Sequence, residues 1–493
     1  MADIESSASF YSDREEFSRA LSLSRAAPNS TQGIWQPWAY FRLGMYETVS
    51  SLDIDPCNLQ YAERQLLPAV ISHAAVGKSD LVKCLLKDAP WVRLPHHLRI
   101  GVAKHLSSYM PQDALRLIDA LGKEVPVVVY VLILLRAGHK NLAREMVEQA
   151  LKNITDRSDF YSILHLYRTI TEEMSPLQQL NSVNKTYLAY GLPELALRDR
   201  NFPLNPCNVY SSTGHVFSDG PLVSVLMTTF NVEGRVSAAI ESILRQSYRQ
   251  LELIVVDDLS TDETAREIQD WADRDARVSF IKLDRNVGTY CAKSVGLKHA
   301  GGEFVTCMDA DDWSHPMKLE LQMYPLLQDD SLVATTSNWI RVSDIGVVDT
   351  LERVDLVHLN YSSLLFRKEK IVTEIGVWDL CARTGADVEF IRRIALAYGP
   401  FAVKNISAPL SLASRRGDSL TMADDGTGFL GGEFPPELLK YIEAFNRWHI
   451  NTLKSNRNPK MDVSWIDWVK DHPFAFPSKV FSDVNDVIAV LRS

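Results

Sequence analysis

The chain has 493 residues, of which 46% are hydrophobic and 23% are charged, and its formal net charge at pH 7 is -10. A chain of this length favours about three domains, and the composition is that of ordinary globular proteins. The negative charge and the lack of any Lys/Arg-rich run argue against a nucleic-acid partner.

Cysteine usage and the N-terminus indicate the compartment. The six cysteines include no C-x-x-C pair, and the acidic start "MADIESSASFYSDREEF" has no apolar signal segment. The most apolar run, residues 125–135, is much shorter than the ~20 residues of a membrane helix and predicts a buried core helix. We therefore expect a cytoplasmic protein, either free or peripheral at the inner face of a membrane.

Residues 1–200 are predicted to form an all-α domain. A glycine, three mostly polar residues and a small apolar pair that would open a helix recur at Gly77, Gly138 and Gly191. The interval from Gly44 to Gly77 is 33 residues, which suits helix-turn-helix repeats whose hairpins stack on their neighbours. A non-repetitive helical bundle would show a similar pattern, so a solenoid and a bundle both remain open.

Three further regions follow the helical domain. Residues 201–220 are rich in Pro, Asn, Ser and Gly, which is typical of a linker, and their apolar residues predict that it packs against the protein. Residues 221–425 alternate between strand and helix patterns. Residues 426–493 are predicted to form a helical and aromatic extension, either a lid over the acceptor side or packing for the helical domain.

The alternating region predicts a parallel sheet. Short apolar runs at 222–227, 251–256, 278–283 and 303–308 are separated by segments with helical periodicity. Strands that are apolar on both faces and separated by helices form parallel sheets with right-handed crossovers. Ligands of such sheets bind at the carboxyl ends of the strands, where Asp257, Asp258 and the acidic cluster at 309–312 are expected.

These acidic residues favour a metal-dependent site for a phosphorylated ligand. The chain has no G-x-x-x-x-G-K-[ST] motif, and no G-x-G-x-x-G follows the first predicted strand, so a P-loop and a dinucleotide site are both disfavoured. Without a glycine-rich phosphate loop, a diphosphate needs another counter-charge. Carboxylates supply it by holding Mg²⁺ or Mn²⁺, which also take phosphate oxygens.

Three ordered segments carry a family resemblance: "VSVLMTTFN", "SILRQSYRQLELIVVDDLSTDET" and "NVGTYCAKSVGLKHAGGEFVTCMDADD". With these segments the chain resembles the inverting family 2 glycosyltransferases. A weaker match through "YSSLLFRKEKIVTEIGVWD" and "GADVEFIRRI" continues to about residue 425. The resemblance implies an α/β GT-A nucleotide-diphospho-sugar transferase fold, with a mostly parallel sheet and helices on both faces, preceded by the all-α domain.

The resemblance also implies an activity. Such enzymes move a sugar from a nucleotide-diphosphate sugar to an acceptor hydroxyl with inversion, and here a UDP-sugar is favoured as donor. A glycan or lipid-linked acceptor and a role in surface polysaccharide or glycan assembly are expected. The helical domain would recruit a protein partner or the acceptor, or mediate homo-oligomerisation.

Site residues carry over from the family motifs one by one. Asp387 matches the catalytic base, and Asp309 and Asp311 match the D-x-D pair that contacts the donor and the Mn²⁺ or Mg²⁺ ion. Asp258 is expected to contact the base or ribose more directly than its neighbour Asp257. The remaining donor-binding candidates are the nucleoside loop, the segment beneath the donor and the downstream basic pair: Thr229, Phe230, Asn231, Glu233, Asn286, Gly288, Lys293, Arg415 and Arg416.

The chain departs from the family pattern at several positions. Ala386 stands where the family usually has Glu, Lys293 replaces the usual Arg, and Leu259 replaces a common Gly. The altered base motif supports an alternative hypothesis, a helical-repeat interaction protein whose transferase domain binds a nucleotide sugar without transferring it.

Some of the conspicuous side chains have simpler structural explanations. Asp257, Asp258 and Asp387 could cap helices, and Arg415 and Arg416 could be surface charges. His315 is expected to shape a turn and His299 to answer a helix dipole. Four tryptophans are expected in core packing rather than in sugar stacking: Trp339, Trp378, Trp465 and Trp468.

Overall fold

The structure is a computed structural model. It describes residues 12–23, 35–54, 62–88, 91–119, 121–153, 174–348, 356–417, 435–461, 464–475 and 480–492. The expected domain boundary at 425/426 lies outside these ranges, as does Cys57. The five cysteines inside them are free thiols, in agreement with the lack of paired cysteines in the sequence.

The N-terminal region is helical, as predicted. Its described helices are α1 Ser12–Leu23, α2 Gln36–Leu43, α3 Tyr46–Ser50, α4 Ala62–Ala75, α5 Ser79–Asp88, α6 His96–Leu106, α7 Pro111–Asp119, α8 Val127–Arg136, α9 Lys140–Asn153 and α10 Pro176–Ala189. The apolar run at 125–135 forms α8 with four consecutive buried residues, so the prediction of a core helix is confirmed. None of the described helices is long and apolar enough to cross a membrane.

The glycines of the proposed repeat share one conformation. Gly44, Gly77, Gly138 and Gly191 all have φ between 70° and 83°, the left-handed region that glycine adopts without a Cβ clash. Helices follow the first three, but the prediction of a helix after Gly191 is wrong. The Asn184 side chain bonds both backbone polar groups of Leu195 at 2.8 Å, and the next residues form a short strand instead. The repeat itself stays a prediction.

The segment predicted as a linker packs onto the protein. Strand β1 Ala196–Leu197 pairs antiparallel with β2 Val209–Tyr210. Leu204 and Val209 are fully buried in an apolar cluster that also contains Trp313 and Ile340 of the main sheet.

The main sheet has eight strands in the order β5-β4-β3-β6-β9-β8-β10-β7. Their bounds are β3 Val223–Thr229, β4 Leu251–Asp257, β5 Val278–Lys282, β6 Phe304–Asp309, β7 Trp313–Ser314, β8 Ala334–Ser343, β9 His358–Arg367 and β10 Val403–Arg415. Strands β5, β4, β3 and β6 are mutually parallel, which confirms the predicted parallel sheet over the four predicted strands. Strand β9 is antiparallel to both of its neighbours, so the complete sheet is mixed.

Helices cover both faces of this sheet. They are α11 Val236–Leu244, α12 Thr264–Ala272, α13 Thr289–His299, α14 Lys318–Gln328, α15 Lys368–Glu374 and α16 Ala386–Tyr398. Val225 of β3 packs in one apolar core with α11 and α14, and the next residue, Leu226, packs in another core with α13 and α16. Alternation along a strand therefore produces the two-sided arrangement that the apolar runs predicted.

The C-terminal extension joins the helical region to the sheet domain. It contains α17 Pro436–Lys454, α18 Trp465–Lys470 and α19 Val484–Arg492. Asn446 of α17 and Arg392 of α16 both donate to the Leu43 carbonyl, at 3.0 and 3.1 Å. Ile450 packs with Phe17 and Leu43. Helix α17 thus lies in the packing between the two regions.

Candidate active site

The candidate site lies at the carboxyl edge of three neighbouring strands. In the sheet register, Thr229 at the end of β3 pairs with Asp257 of β4, and Thr228 pairs with Asp309 of β6. The parallel order therefore brings the predicted acidic residues to one edge, where ligands of such sheets bind.

The loop after β3 is fastened to the loop after β4. Asn231, with φ 49°, donates its N–H to Ser260 at 3.0 Å and accepts from the Thr261 N–H at 2.9 Å. Glu233 accepts from the Glu263 N–H at 3.0 Å. Phe230, which directly follows β3 and precedes both Asn231 and Glu233, is 48% exposed, so an aromatic ring is presented to solvent at the carboxyl end of the strand.

The Asp257 and Asp258 carboxylates are buried and shape the loops. Asp257 accepts from Thr229 at 3.0 Å and from the Ser260 N–H at 3.1 Å. The two oxygens of Asp258 accept the N–H groups of residues 287 and 288 at 2.7 and 2.8 Å. Burial raises the pKa of Asp258 to about 6, although these N–H groups oppose the rise. Both aspartates therefore stabilise the loops at the carboxyl edge of the sheet through buried hydrogen bonds.

Residues 286–288, here called the donor loop, follow the same edge. Asn286 donates to the Asp258 carbonyl at 2.9 Å and accepts from the Arg383 guanidinium. Gly288 has φ 84°, and a Cβ there would lie 3.1 Å from the Ser482 hydroxyl oxygen. The donor loop is thus enclosed by the segment before α16 and by the C-terminal extension.

Lys293 interacts with Asp309 at the carboxyl edge of the sheet and with the predicted base, Asp387. Its ammonium is buried and lies 3.8 Å from the Asp309 carboxylate. Burial alone would lower the pKa of Lys293, but the surrounding acidic groups, Cys307 and Asp309 first among them, outweigh it and raise the pKa. Asp387 belongs to the same group of charges.

Asp387 lies in the first turn of α16. Its carboxylate accepts the Val388 N–H at 2.8 Å and a hydrogen bond from the Tyr290 hydroxyl. Burial raises its pKa, and the positive charge of Lys293 opposes the rise. A partly buried carboxylate with a raised pKa can serve as a general base.

The other acidic residue of this turn faces the interior. Glu389 is buried and pairs with Arg393 at 2.8 Å and with His449 at 2.9 Å. Burial would raise the pKa of Glu389, but these two partners lower it to about 2. Ala386, where the resembled family usually has Glu, is completely buried. The first turn of α16 therefore offers one carboxylate to the site, that of Asp387.

The acidic turn, residues 309–312, is held by neighbouring strands. Arg416, just beyond the end of β10, donates to Asp311 at 3.0 Å, and the Ser414 N–H donates to Asp312 at 2.8 Å. Burial raises the pKa of Asp311, although Arg416 opposes it. Burial and the charges of the two other aspartates raise the pKa of Asp312 well above its usual range. Asp309 is the more open member, with a side chain that is 33% exposed.

Arg415, the last residue of β10, completes the predicted basic pair. Burial, together with the charge of Arg341, lowers its pKa to about 10. Arg416, the next residue, makes an ion pair with Asp311 of the acidic turn at 3.0 Å.

The acidic turn suits a hard cation that also takes ligand oxygens. Across the described ranges, no group of three or more His, Cys, Asp or Glu side chains is arranged to hold a metal by itself. Mg²⁺ and Mn²⁺ sites need only one or two carboxylates when phosphate oxygens and water complete the shell. Asp309 and Asp311 meet that minimum.

His315, Trp378 and Trp468 are buried as their expected structural roles require, whereas Trp339 is only partly buried and belongs to none of the apolar clusters of the described residues. The buried His315 accepts the Met317 N–H at 3.2 Å, and burial lowers its pKa to about 4. His299 lies in the last turn of α13. Trp378 and Trp468 are buried in the core, Trp465 packs against it, and Arg341 lies over the Trp339 ring at 5.2 Å.

Sequence reasoning missed three residues that lie at or near the candidate site. Arg383 and Tyr290 contact predicted residues, and both lie within four residues of one, so proximity to a motif could have found them. Lys318 is a buried lysine near the acidic turn, six residues after Asp312. Its position at a helix start gave no sequence indication of burial.

Comparison with known proteins finds a family match over part of the chain. The model of the family described as glycosyl transferase family 2 matches residues 224–382. An uncharacterized glycosyltransferase of Haemophilus influenzae is 36% identical over 143 residues, which are 28% of this chain and 57% of that protein. The UDP-Glc:alpha-D-GlcNAc-diphosphoundecaprenol beta-1,3-glucosyltransferase WfgD of Escherichia coli is 35% identical over 112 residues, 23% of this chain and 44% of that protein.

Among solved structures, S. aureus TarS 1-349 in complex with UDP-GlcNAc matches with a TM-score of 0.34 and 20% identity, covering 45% of this chain and 64% of that one. This chain thus spans about half the length of the two curated relatives.

Proposed function

Since residues 224–382 match the family described as glycosyl transferase family 2, we propose that the protein transfers a sugar from a nucleotide-diphosphate sugar to an acceptor hydroxyl, with inversion. The observation that carries this proposal is the charge group of Asp309, Lys293 and Asp387. In this group Asp309, a predicted donor-binding carboxylate, lies 3.8 Å from the buried Lys293 ammonium, and the predicted base Asp387 acts on the same ammonium electrostatically.

The donor would lie along the carboxyl edge. The exposed Phe230 ring offers a stacking surface for the nucleobase, and the donor loop is bound to Asp258 at the end of the neighbouring strand. Asp309 and Asp311 would hold Mn²⁺ or Mg²⁺ beside the diphosphate, with Arg415 and Arg416 contributing positive charge. When bound, the cation offsets the charge that develops on the departing diphosphate. A UDP-sugar is our preferred donor.

Asp387 would accept the proton of the acceptor hydroxyl. Its raised pKa makes it a stronger base than an ordinary aspartate, while Lys293 and the Tyr290 hydroxyl oppose the rise in its pKa. Direct displacement with one base inverts the anomeric centre. A glycosidase would instead place two carboxylates on either side of the scissile bond.

The remaining regions would serve the acceptor and its assembly. In our proposal residues 1–200 recruit a partner or acceptor, or oligomerise, and residues 201–220 link them to the transferase domain at 221–425. The relative WfgD is named for a diphosphoundecaprenol-linked acceptor. This supports a glycan or lipid-linked acceptor in surface polysaccharide assembly, at the inner face of a membrane.

Nucleoside diphosphate release from a panel of nucleotide sugars, with Mn²⁺ and candidate acceptors, tests the proposal. We expect release with one donor, and we expect Asp387→Asn to abolish it while calorimetry still detects donor binding. Asp80→Asn, at the exposed first turn of α5, is the matched control and should change neither.

Two outcomes would contradict parts of the proposal. Tight donor binding without release for any donor and acceptor would favour the alternative, an interaction protein with a degenerate transferase domain. Donor binding that ignores Mn²⁺ and is unchanged in Asp311→Ala would refute the metal assignment.

A further inference from the structure

A second cavity lies between the helical region and the C-terminal extension. Its volume is about 570 Å³, which is within the range of small-molecule sites. Glu47 of α3 lines one side, and residues of α17 and the segment 473–475 line the rest; it is here called the extension cavity. Among the described residues that line it, none belongs to the predicted donor-binding, metal-binding or catalytic set, so the cavity is separate from the candidate active site.

One face of α17 forms the main wall of the extension cavity. The contributing side chains recur at i, i+3, i+7, i+8 and i+11, which places them on one side of a helix: Lys440, Glu443, Arg447, Trp448 and Asn451. The opposite side of α17 packs against α16, where His449 pairs with the buried Glu389 at 2.9 Å. The wall is therefore held in place by contacts that the cavity itself does not use.

The aromatic part of the wall is fixed before any ligand binds. The ring centroids of Trp448 and Phe474 are 5.9 Å apart, and Trp468 packs on the same indole at 5.4 Å. The segment after α18 is secured by His472, whose ring nitrogens lie 3.0 Å from the Phe474 carbonyl oxygen and 3.0 Å from the Asp379 carboxylate. Trp448 is only partly buried, so part of its indole surface is accessible from the cavity.

The charged side chains of the extension cavity balance one another. Arg447 donates to Glu443 at 3.0 Å, and Lys440 donates to Glu437 at 3.1 Å. With Glu47, the wall therefore carries two acidic and two basic side chains. A charged ligand gains little net attraction from such a wall, whereas a neutral ligand can accept from the cations and donate to the carboxylates.

One buried acceptor of the wall lacks a donor. Glu443 is 5% exposed, and its Oε1 accepts from Thr48 and Arg447. Its Oε2 is also buried and has no hydrogen-bond partner within the described part of the chain. A buried carboxylate oxygen without a donor is unfavourable, so a ligand that brings hydroxyl groups would stabilise it. Glu47 and Asn451 are exposed and offer further polar groups to the same ligand.

We propose that the extension cavity is a second, non-catalytic site that binds a neutral saccharide. A sugar ring packs its C–H face on Trp448, and its hydroxyl groups bond to the polar side chains of α17 and α3. Saccharides suit this wall because each hydroxyl both donates and accepts, while the ring carbons form an apolar face. The use of the site to retain a glycan acceptor rests on the proposed function, whereas saccharide binding itself does not.

Calorimetry with uncharged trisaccharides, down to millimolar affinity, tests the site. The probes are maltotriose, cellotriose and N,N′,N″-triacetylchitotriose, and the charged comparisons are deacetylated chitotriose, a cation, and trigalacturonate, an anion. We expect at least one neutral probe to bind, and to bind more tightly than either charged one. Trp448→Ala should raise its dissociation constant about tenfold through lost ring packing. Failure of all three neutral probes to bind, or tighter binding of a charged one, would overturn the inference.

A second variant guards against a packing defect, because Trp448 also contacts Trp468 and Phe474. Glu47→Ala combined with Asn451→Ala removes two exposed polar groups of the cavity, so it should weaken binding about tenfold without lowering the melting temperature. The matched control is Glu369→Ala combined with Asn485→Ala. Both of these side chains are exposed and lie outside the cavity lining, so the affinity should not change. Unchanged affinity in both cavity variants would refute the site.

The active-site variant Asp387→Asn separates this inference from the proposed function. It should leave trisaccharide binding unchanged, because Asp387 does not line the extension cavity. Binding that is lost in Asp387→Asn but intact in Trp448→Ala would place the saccharide in the candidate active site and overturn the inference. If no nucleotide sugar is cleaved, the proposed function fails, while the calorimetry still decides whether the extension cavity binds a saccharide.

Discussion

Ser482→Ala tests whether the C-terminal extension maintains the donor loop. Ser482 is buried, and its hydroxyl donates to the Val287 carbonyl at 2.5 Å. Its own N–H donates to the Cys381 carbonyl at 2.8 Å, so the backbone remains anchored when the hydroxyl is removed. The substitution therefore deletes one contact between the extension and the donor loop.

The expected effect follows because the buried Val287 carbonyl loses its hydrogen-bond donor, the Ser482 hydroxyl. A buried carbonyl left without a hydrogen bond costs about 1–3 kcal/mol, and the cost falls on the closed state of the loop. Local opening should then become about 5- to 150-fold more frequent. Hydrogen–deuterium exchange of a peptide that spans residues 284–290 should accelerate by that factor, because the N–H groups of Val287 and Gly288 donate to Asp258 only when the loop is closed.

Ser455→Ala is the control for this measurement. Ser455 belongs to the same extension, but its hydroxyl makes only an exposed contact of 3.4 Å within its own helix end. It should leave exchange of the 284–290 peptide unchanged. Unchanged exchange in Ser482→Ala, with the variant folded, would refute the idea that the extension secures the donor loop.

Two further predictions concern a ligand contact and the buried ion group. Phe230→Ala should weaken binding of the nucleoside diphosphate by about 1–3 kcal/mol through lost stacking, with no loss of thermal stability because the ring is exposed; a lower melting temperature would contradict this. Glu389→Gln should lower the free energy of unfolding by about 3–5 kcal/mol because Arg393 loses its buried partner. Since the folded-state pKa of Glu389 is about 2, below its ordinary 4.5, this contribution is present above pH 4.5 and is lost as the pH falls toward 2. Urea denaturation across that range should show a smaller acid-induced loss of stability in the variant, and parallel curves would contradict the assignment.

The central sheet was predictable because its information is local. Apolar runs at 222–227 and 251–256 indicate strands buried on both faces, and parallel pairing then brings their carboxyl ends to one edge. For the same reason Asp257 and Asp309 could be placed together, although 52 residues separate them (257 to 309). The family resemblance supplied Asp387, whose position relative to Lys293 depends on the packing of α16.

Other parts of the site could not be read from local patterns. Leu259 stands where the resembled family commonly has Gly, and its φ of 69° is in the left-handed region that favours glycine. The replacement of Gly by Leu in the sequence did not by itself indicate that the backbone keeps this conformation. The helix expected after Gly191 does not form because the side chain of Asn184, on the preceding helix, hydrogen-bonds to the backbone N–H and carbonyl of Leu195. A side chain that competes for backbone hydrogen bonds leaves no periodic pattern in the sequence.

The sequence by itself determined the helical N-terminal region, the parallel core of the sheet, and the acidic residues at the ends of its strands, because periodicity and residue chemistry act over short distances. Only the tertiary structure decided how that edge is supported. Ser482 reaches the donor loop across 195 residues, and Lys318 is buried near the acidic turn because α14 packs onto the sheet there. Such contacts depend on which surfaces meet when the helices and the extension are buried, and that choice is made by packing of the whole chain.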